Sequence, residues 1–509
     1  MEDNRVSEKG GGDMRESQEE RVCVQTEAGV VCGKSSHTFS DDGCDLRRYF
    51  FLGIPYGRAE RFRPPEPVRW QGEWLCTQYG PLAPQPNFRG KKPEGLDFQM
   101  MGSEDCLNLN IWSTCLDRNA RLPVVVAVHG GAFQTGGNSL PQFSGESFMD
   151  KEEMVFVSVN YRVGVLGFLE LGQEYGGRYE GSGNCGMWDL LLALKWIERN
   201  IAAFGGDPDR IILMGISAGA KAIASLMTLP KVQAMCHRVI LESGAMQSFR
   251  TRETAEEVSA RYRSLLPEET DLRMAPAELL VEKQAEFCAC EGSTCFFGPV
   301  LAAPFAPDWA ERWKQGECFR GKAIIGCGRH EMIRTVQQPG FMEAAETIAG
   351  DLFGRNGKLA SQIVKMLVQE GVAAAEAWET VFSDFMYRYY SFDLAKRLEA
   401  DGNDVWCYSF EYGSACHGMG YAYLMKDLDY PEPIKDPLVR SRATRISEEM
   451  RRRIYTFIRE DDLEEKEWPR YRGRNQLVFD EKIHVEYQHE DLRAKYPERV
   501  YTFGSGSEG

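Results

Sequence analysis

The feature that most constrains the fold is a series of uninterrupted apolar runs separated by stretches of helical periodicity. Leu122 to His129 and Met154 to Val159 are apolar at almost every position, which is typical of strands buried on both faces of a parallel sheet. Apolar residues then recur at helical spacing from Met187 to Ile201, and Gly205-Gly206 supplies a helix stop. These repeated units predict an α/β fold with a large, mostly parallel, twisted central sheet and helices on both faces.

Shorter runs extend this pattern along the chain. They predict further strands at Ile211–Met214, Val239–Leu241, Ala323–Ile325 and Val405–Phe410. Val22 to Val31, with a turn at Ala28-Gly29, predicts an antiparallel hairpin at the start of the sheet. We expect one domain over residues 21–503, a disordered polar tail over residues 1–20 and a flexible tail over residues 504–509.

Charge and composition exclude several classes of protein. The chain has 60 Lys and Arg against 76 Asp and Glu, a net charge of −16, which argues against binding to a nucleic-acid backbone. No apolar run approaches the ~20 residues that span a bilayer, and the N-terminus lacks the apolar segment of a secretory signal. The 15 cysteines are scattered singly, so we expect reduced thiols and a cytoplasmic protein. Cys288, Cys290 and Cys295 lack a fourth nearby ligand, so no metal site is expected.

A serine lies between a predicted strand and a predicted helix. The strand at Ile211–Met214 runs into Gly215-Ile216-Ser217-Ala218-Gly219, which fits the pattern G-x-S-x-G. Glycines around the serine permit a turn so sharp that the hydroxyl projects above the sheet. Serine needs an adjacent base to act as a nucleophile at neutral pH. The pentapeptide and its context therefore predict a nucleophilic Ser217.

A second strand end carries His129-Gly130-Gly131-Ala132-Phe133. Small residues after a buried strand leave backbone N–H groups uncovered, which is what a developing oxyanion requires. The alternative is a tight turn that needs glycine for geometry alone. The nearby serine motif favours the oxyanion interpretation.

The base and the acid follow from position in the chain. Seven histidines exist, and the order serine, acid, histidine leaves four of them, at His330, His417, His484 and His489. His417 follows the strand Val405–Phe410 after a short loop, whereas His484 and His489 lie in a polar stretch and His330 adjoins the candidate acid. That acid is Glu331, in the loop after Ala323–Ile325; its alternative role is an ion pair with Arg329 or Arg334.

These residues resemble the type-B carboxylesterase family, which includes the cholinesterases, within the α/β-hydrolase fold. The resemblance runs from about Val22 to the Trp468-Pro469-x-Tyr471 segment and includes several ordered motifs. They are Phe51-Leu52-Gly53-Ile54-Pro55-Tyr56, Glu104-Asp105-Cys106-Leu107-Asn108-Leu109-Asn110, Asn160-Tyr161-Arg162-Val163-Gly164, Gly183-Asn184-Cys185-Gly186-Met187-Trp188-Asp189 and Ala203-Phe204-Gly205-Gly206-Asp207-Pro208.

The resemblance implies roles for six residues. Ser217 is implied as nucleophile, Glu331 as acid and His417 as base, with oxyanion donors from the backbone of Gly131, Ala132 and Ala218. Gly130 then serves the turn.

The chain departs from the family pattern at four positions. Ile216 replaces the glutamate common before the serine, which removes a buried carboxylate; Met332 follows Glu331 where glycine is usual; and Leu190 replaces a frequent glutamine. Cys106 has no partner cysteine near Ala83, where the family's first disulfide would form.

The function predicted from the sequence is a serine carboxylesterase that hydrolyses small-molecule esters through an acyl-enzyme, without metal or organic cofactor. A non-catalytic binding or adhesion protein on the same fold is an alternative from another class, although such relatives typically lack the serine. The same machinery directed at lactones, amides or acetylated sugars is a third. The sequence carries no signal for oligomeric state.

Overall fold

The computed structural model describes residues 20–39, 45–87, 98–150, 152–290, 297–353, 356–460, 462–473 and 475–487. The two predicted tails, except Glu20, lie outside the described residues, as do Cys295 and His489. The domain limits drawn from the sequence stay a prediction.

The described residues form seventeen strands of two to eleven residues. They are β1 (Glu20–Gln25), β2 (Val30–Phe39), β3 (Asp45–Pro55), β4 (Gly57–Arg58), β5 (Glu66–Pro67), β6 (Glu73–Leu75), β7 (Gln85–Pro86), β8 (Met100–Met101), β9 (Asn108–Ser113), β10 (Leu122–Val128), β11 (Val155–Val159), β12 (Gly206–Ile216), β13 (Cys236–Glu242), β14 (Lys322–Gly328), β15 (Asp404–Phe410), β16 (Gln476–Phe479) and β17 (His484–Glu486).

The helices connect the strands and cover the sheet. They are α1 (Gly145–Met149), α2 (Gly164–Phe168), α3 (Gly172–Tyr175), α4 (Cys185–Asn200), α5 (Ala218–Leu226), α6 (Pro230–Met235), α7 (Arg252–Arg263), α8 (Ala277–Cys290), α9 (Trp309–Lys314), α10 (Ile333–Val336), α11 (Phe341–Phe353), α12 (Asn356–Gln369), α13 (Ala374–Ser383), α14 (Tyr389–Ala400), α15 (Met419–Leu424) and α16 (Pro437–Arg459). A π-helical turn, Asp384–Arg388, joins α13 to α14.

One large mixed sheet holds most of these strands. Its order is β1-β2-β3-β9-β11-β10-β12-β13-β14-β15-β16-β17, with β6 beside β2. In this order, the neighbouring strands of the segment β11-β10-β12-β13-β14-β15-β16 pair in parallel. The neighbouring strands of the segment β1-β2-β3-β9-β11 pair antiparallel, as do β16 and β17. The predicted α/β class, the parallel centre and the N-terminal hairpin are confirmed.

The parallel strands are buried on both faces. Val124 and Val126 belong to one apolar cluster, and Val125 and Ala127 belong to a second cluster on the other face of β10. Alternate residues of a strand point to opposite faces, so an uninterrupted apolar run is what two covered faces require. The strand predicted at Ile211–Met214 is longer in the structure. It is β12, which starts at Gly206 and includes the polar segment at 207–210, where an apolar run gives no signal.

The prediction that every cysteine stays a separate thiol is wrong for one pair. The hairpin places Cys23 directly opposite Cys32, and a disulfide joins them. Cross-strand partners share a face of the sheet, so the pairing follows from register rather than from spacing in the sequence. Ten other cysteines of the described residues, Cys106 among them, form no disulfide.

Among the described residues, no helix combines the length and the apolar character needed to cross a bilayer.

A buried ion pair ties the loop after β11 to helix α4. Arg162 donates from Nε and Nη2 to the two carboxylate oxygens of Asp189, each at 2.7 Å, and its backbone N–H donates to Oδ2 at 3.0 Å. Both side chains are almost fully buried, at 6% and 0% exposure. Removing one partner of such a pair leaves a buried charge without its counterion.

We therefore expect Asp189→Asn to lower the free energy of unfolding by about 3–5 kcal/mol, measured by chemical denaturation. Glu311→Gln is the control, because its ion pair with Lys314 is about two-thirds exposed on both sides. Exposed pairs contribute about 0–1 kcal/mol. Equal losses in the two variants would contradict a structural role for the buried pair.

Candidate active site

The turn at Ser217 holds a strained backbone between β12 and α5. Ser217 has φ 55° and ψ −123°, a conformation that costs about 1–3 kcal/mol for a residue with a side chain. Its N–H donates to the carbonyl of Glu242 at 2.9 Å, and its carbonyl accepts from Lys221 N–H at 2.9 Å. The neighbouring strand and the helix therefore hold the turn, with the half-buried Ser217 at the edge of the sheet.

Glycines next to this turn allow other backbone to approach. A Cβ on Gly219 would lie 2.0 Å from the carbonyl oxygen of Val128, so any side chain there would separate α5 from β10. A Cβ on Gly130 would lie 2.9 Å from the carbonyl oxygen of Ile216 and 3.2 Å from Ser217 Cβ. The loop after β10 thus lies against the serine turn.

Three backbone N–H groups, in the loop after β10 and at the start of α5, have no acceptor among the described residues. They belong to Gly131, Ala132 and Ala218. Gly131 and Ala132 have positive φ angles of 108° and 56°, and Ala218 is the first residue of α5, whose N–H has no partner within the helix. Free, fixed donors beside a nucleophile are suited to an oxyanion.

The carboxylate of Glu331 is completely buried and accepts three hydrogen bonds. Ser243 Oγ and the N–H of Gly328 donate to Oε1, each at 2.6 Å. His417 Nδ1 lies 2.5 Å from Oε2. A proton on Nδ1 makes this a hydrogen bond and leaves Nε2 as the basic nitrogen of the ring.

Two tyrosines contact His417, one at its ring and one at its backbone. Tyr387, from the π-helical turn, stacks on the imidazole with ring centroids 4.3 Å apart and planes at 24°. Tyr430 Oη donates to the backbone carbonyl of His417 at 2.9 Å. Lys221 Nζ lies 5.1 Å from the centroid of the Tyr387 ring. About 30% of the His417 side chain is exposed, so the ring is reachable by a substrate.

Ser217 and His417 lie at the same edge of the sheet, but their side chains are not hydrogen-bonded to each other among the described residues. The chain on either side of the pair is in contact, since a Cβ on Gly418 would lie 3.3 Å from Ile216 Cδ1. A hydrogen bond between a nucleophile and its base often tightens only when substrate binds.

The other histidines have different surroundings. His330 Nδ1 contacts the buried Glu379 at 2.9 Å, and His484 Nδ1 contacts the carbonyl of Lys482. His129 stacks on Tyr161 at 4.3 Å, and burial lowers its pKa to about 4, so the ring is neutral at physiological pH. These three rings are occupied elsewhere, whereas His417 contacts Glu331.

Ser243 and Glu242, at the end of β13, contact the site and were not predicted from the sequence. Ser243 is fully buried and donates to Glu331, and Glu242 accepts from the N–H of Ser217. Both residues follow the predicted strand Val239–Leu241, so the rule that ligands bind beyond the carboxyl ends of strands could have found them.

The departures from the family pattern have local explanations. Ile216 packs against Gly418, Leu190 is buried in the core, and the N–H of Met332 donates to Ser383 Oγ at 3.0 Å. The loop after Glu331 is thereby anchored to the end of α13.

The described residues contain one cluster of three side chains suited to metal ligation, formed by Cys23, Cys32 and Glu73. Its two sulfurs form the disulfide. The cluster lies on the β1–β2 hairpin and β6, not beside Ser217.

Comparisons with known proteins identify the family of the chain. Residues 20–499 match the carboxylesterase family. The chain is 29% identical to a para-nitrobenzyl esterase of Bacillus subtilis (strain 168), over 85% of this chain and 91% of that protein. It is 32% identical to a cholinesterase of Mus musculus, over 55% of this chain and 49% of that protein.

The fold has solved counterparts as well. A carboxylesterase of Geobacillus stearothermophilus superposes with a TM-score of 0.77 and 28% identity, covering 93% of this chain and 98% of that chain. A thermophilic PNB esterase superposes with a TM-score of 0.76 and 26% identity, covering 94% and 99%.

The hydrogen bond from Ser243 to Glu331 yields a test. Ser243→Ala removes one donor from a buried carboxylate, and a hydrogen bond to a charged group contributes about 1.5–3 kcal/mol. We expect kcat for a short-chain ester to fall by about ten-fold or more with little change in KM. Ser225→Ala is the control, because Ser225 is equally buried and its hydroxyl donates only to the carbonyl of Lys221. An unchanged kcat in Ser243→Ala would show that this contact has no part in turnover.

Proposed function

Since the chain belongs to the carboxylesterase family and is a serine hydrolase of carboxylic esters, we propose that Ser217, Glu331 and His417 are its catalytic triad. The backbone N–H groups of Gly131, Ala132 and Ala218 form the proposed oxyanion hole. The observation that carries this proposal is the buried Glu331 carboxylate against His417 Nδ1, at the sheet edge where the Ser217 turn lies.

The reaction proceeds in two halves. Ser217 Oγ attacks the ester carbonyl while His417 Nε2 takes the hydroxyl proton, and the carbonyl oxygen receives hydrogen bonds from the three free N–H groups. Collapse of the tetrahedral intermediate expels the alcohol, which takes the proton from His417, and leaves an acyl-enzyme. Water then attacks the acyl group with His417 as base, and the carboxylic acid leaves as Ser217 regains its proton.

Glu331 keeps its hydrogen bonds throughout the reaction. It accepts the hydrogen bond from Nδ1–H, so that Nε2 faces the reacting atoms. It also stabilises the imidazolium that forms in each half-reaction. The bonds from Ser243 and Gly328 keep the carboxylate in place while charge develops on the ring.

The substrate that we propose is a small neutral ester. The net charge of −16 disfavours the approach of polyanions. The alternative of a non-catalytic adhesion protein is overturned, because the family and its esterase relatives identify an enzyme. Assays of esters, lactones and amides with varied acyl groups separate the remaining substrate classes.

A cytoplasmic location is part of the proposal. Ten cysteines of the described residues that form no disulfide favour a reducing compartment, whereas the disulfide Cys23–Cys32 favours an oxidising one. Alkylation of thiols in intact cells, followed by peptide mass analysis, decides between them: alkylated Cys23 and Cys32 would support the cytoplasm, and a retained disulfide would contradict it.

We expect Ser217→Ala to reduce hydrolysis of a short-chain nitrophenyl ester by about 10⁵-fold or more, because the variant has no nucleophile. Circular dichroism should be unchanged. Ser225→Ala, on the same helix, should retain activity. Turnover near that of the wild type in Ser217→Ala would refute the assignment.

An organophosphate should label Ser217 alone, since only an activated serine forms the phosphoserine ester. Peptide mapping by mass spectrometry identifies the modified residue. A label at another serine would reassign the nucleophile.

Glu331→Gln should lower kcat by on the order of 10³- to 10⁴-fold, less than the loss of the serine. The amide keeps the shape of the side chain but not the charge that stabilises imidazolium. Glu379→Gln is the matched control, since Glu379 is a buried glutamate that contacts His330 instead of His417. A turnover number in Glu331→Gln equal to that of the wild type would point to another acid.

A further inference from the structure

Glu242 is a buried carboxyl group that contacts the site from the end of β13. Its side chain is 2% exposed, and Ile216, the residue before the serine, is its register partner on β12. Partners in parallel strands point to the same face, and here both side chains reach the segment that carries His417. Ile216 contacts Gly418, and a Cβ on Gly420 would lie 3.0 Å from Glu242 Oε1.

Hydrogen bonds at the end of β13 reach the serine turn, the proposed acid and the helix after His417. The backbone carbonyl of Glu242 accepts from Ser217 N–H at 2.9 Å, and Oε1 accepts from the N–H of Tyr421, at the start of α15, at 2.7 Å. The next residue, Ser243, donates to Glu331. The strand end therefore contacts the nucleophile, the acid and the helix that follows the base.

No lysine, arginine or histidine of the described residues pairs with this carboxyl group. The titratable groups that face it are Tyr408 on β15, Tyr421 on α15, and Cys327 and Glu331 at the end of β14. Tyr408 Oη lies 2.6 Å from Oε2. The phenol donates to a carboxylate at this distance and accepts from a neutral carboxylic acid. The one charged neighbour is thus a carboxylate, and an unpaired buried charge beside a like charge is unfavourable.

We propose that Glu242 is a positioning residue that holds Ser217 and the His417 segment in register as an uncharged carboxylic acid, and that its ionisation at alkaline pH disrupts this arrangement. The inference rests on the proposed triad. It also explains how the site tolerates Ile216: the buried carboxyl group lies one strand away from the serine turn.

The direction of titration agrees with the geometry. Burial raises the pKa of Glu242 to about 8, and Glu331 adds to the rise, although the hydrogen bonds from Tyr408 and Tyr421 oppose it. Burial also raises the pKa of Tyr408, Tyr421 and Cys327, so these neighbours stay neutral through this range.

Glutamine reproduces the hydrogen bonds of the neutral acid and not those of the carboxylate. Its carbonyl oxygen accepts from Tyr421 N–H and its amide donates to Tyr408 Oη, whereas a carboxylate accepts at both oxygens. Glu242→Gln should therefore keep kcat at pH 7 within about three-fold. Glu242→Ala, which leaves both partners without a group to bind, should lose ten-fold or more.

The pH profile of kcat between pH 6 and 10 provides the decisive readout. We expect wild-type kcat to fall with a midpoint near pH 8. In Glu242→Gln the midpoint of this fall should move upward by at least about one pH unit. KM should stay unchanged, because the buried side chain does not reach the substrate. Glu170→Gln, another buried glutamate whose oxygens accept from the backbone of Gly172 and Gly183, should retain the wild-type profile. A ten-fold loss at pH 7 in Glu242→Gln, or an alkaline fall identical to that of the wild type, would overturn the proposal.

Thermal unfolding in the Ser217→Ala background tests the protonation state without turnover. The raised pKa stabilises the folded protein below the ordinary carboxyl pKa, and this stabilisation is lost as the pH rises through about 8. The Tm of the Glu242 protein relative to Glu242→Gln should therefore fall from pH 5 to 8. A constant difference would refute the neutral acid even if the triad is right, whereas an active Ser217→Ala enzyme would refute the triad alone.

Discussion

The parallel pairing of β10, β12, β13, β14 and β15 is the constraint on which the site depends. Each strand runs in the same direction, so their carboxyl ends meet at one edge although they are distant in the chain. The glycine loop follows β10, the serine turn follows β12 and Ser243 follows β13. Glu331 lies after β14, and His417 lies after β15.

Close backbone contact makes this edge rigid. Val128 and Gly219 approach so closely that a methyl group would separate strand from helix, and Gly130 lies against the serine turn in the same way. The strained conformation of Ser217 persists because β13 and α5 both bind its backbone. Strain at the nucleophile is therefore balanced by hydrogen bonds from the elements that flank it.

The two carboxyl groups of the edge differ in their surroundings. Glu331 accepts hydrogen bonds from Ser243 and Gly328 and contacts His417, the proposed base. Glu242 has neutral donors and a carboxylate neighbour, so burial favours its uncharged form. We therefore propose different roles for the two glutamates, because their hydrogen-bond partners differ.

The sequence by itself determined the α/β class and the parallel centre, because strands buried on both faces are uninterrupted apolar runs. It indicated the family as well, because the ordered motifs that carry the resemblance are short local segments. It also indicated Ser217, Glu331 and His417 as candidates, since strand ends can be located from apolar runs. Only the tertiary structure decided that Glu331 meets His417, that Ser243 donates to Glu331, that Tyr387 stacks on His417 and that Cys23 pairs with Cys32. Those contacts depend on register, burial and the direction of side chains, which arise only when distant segments pack together.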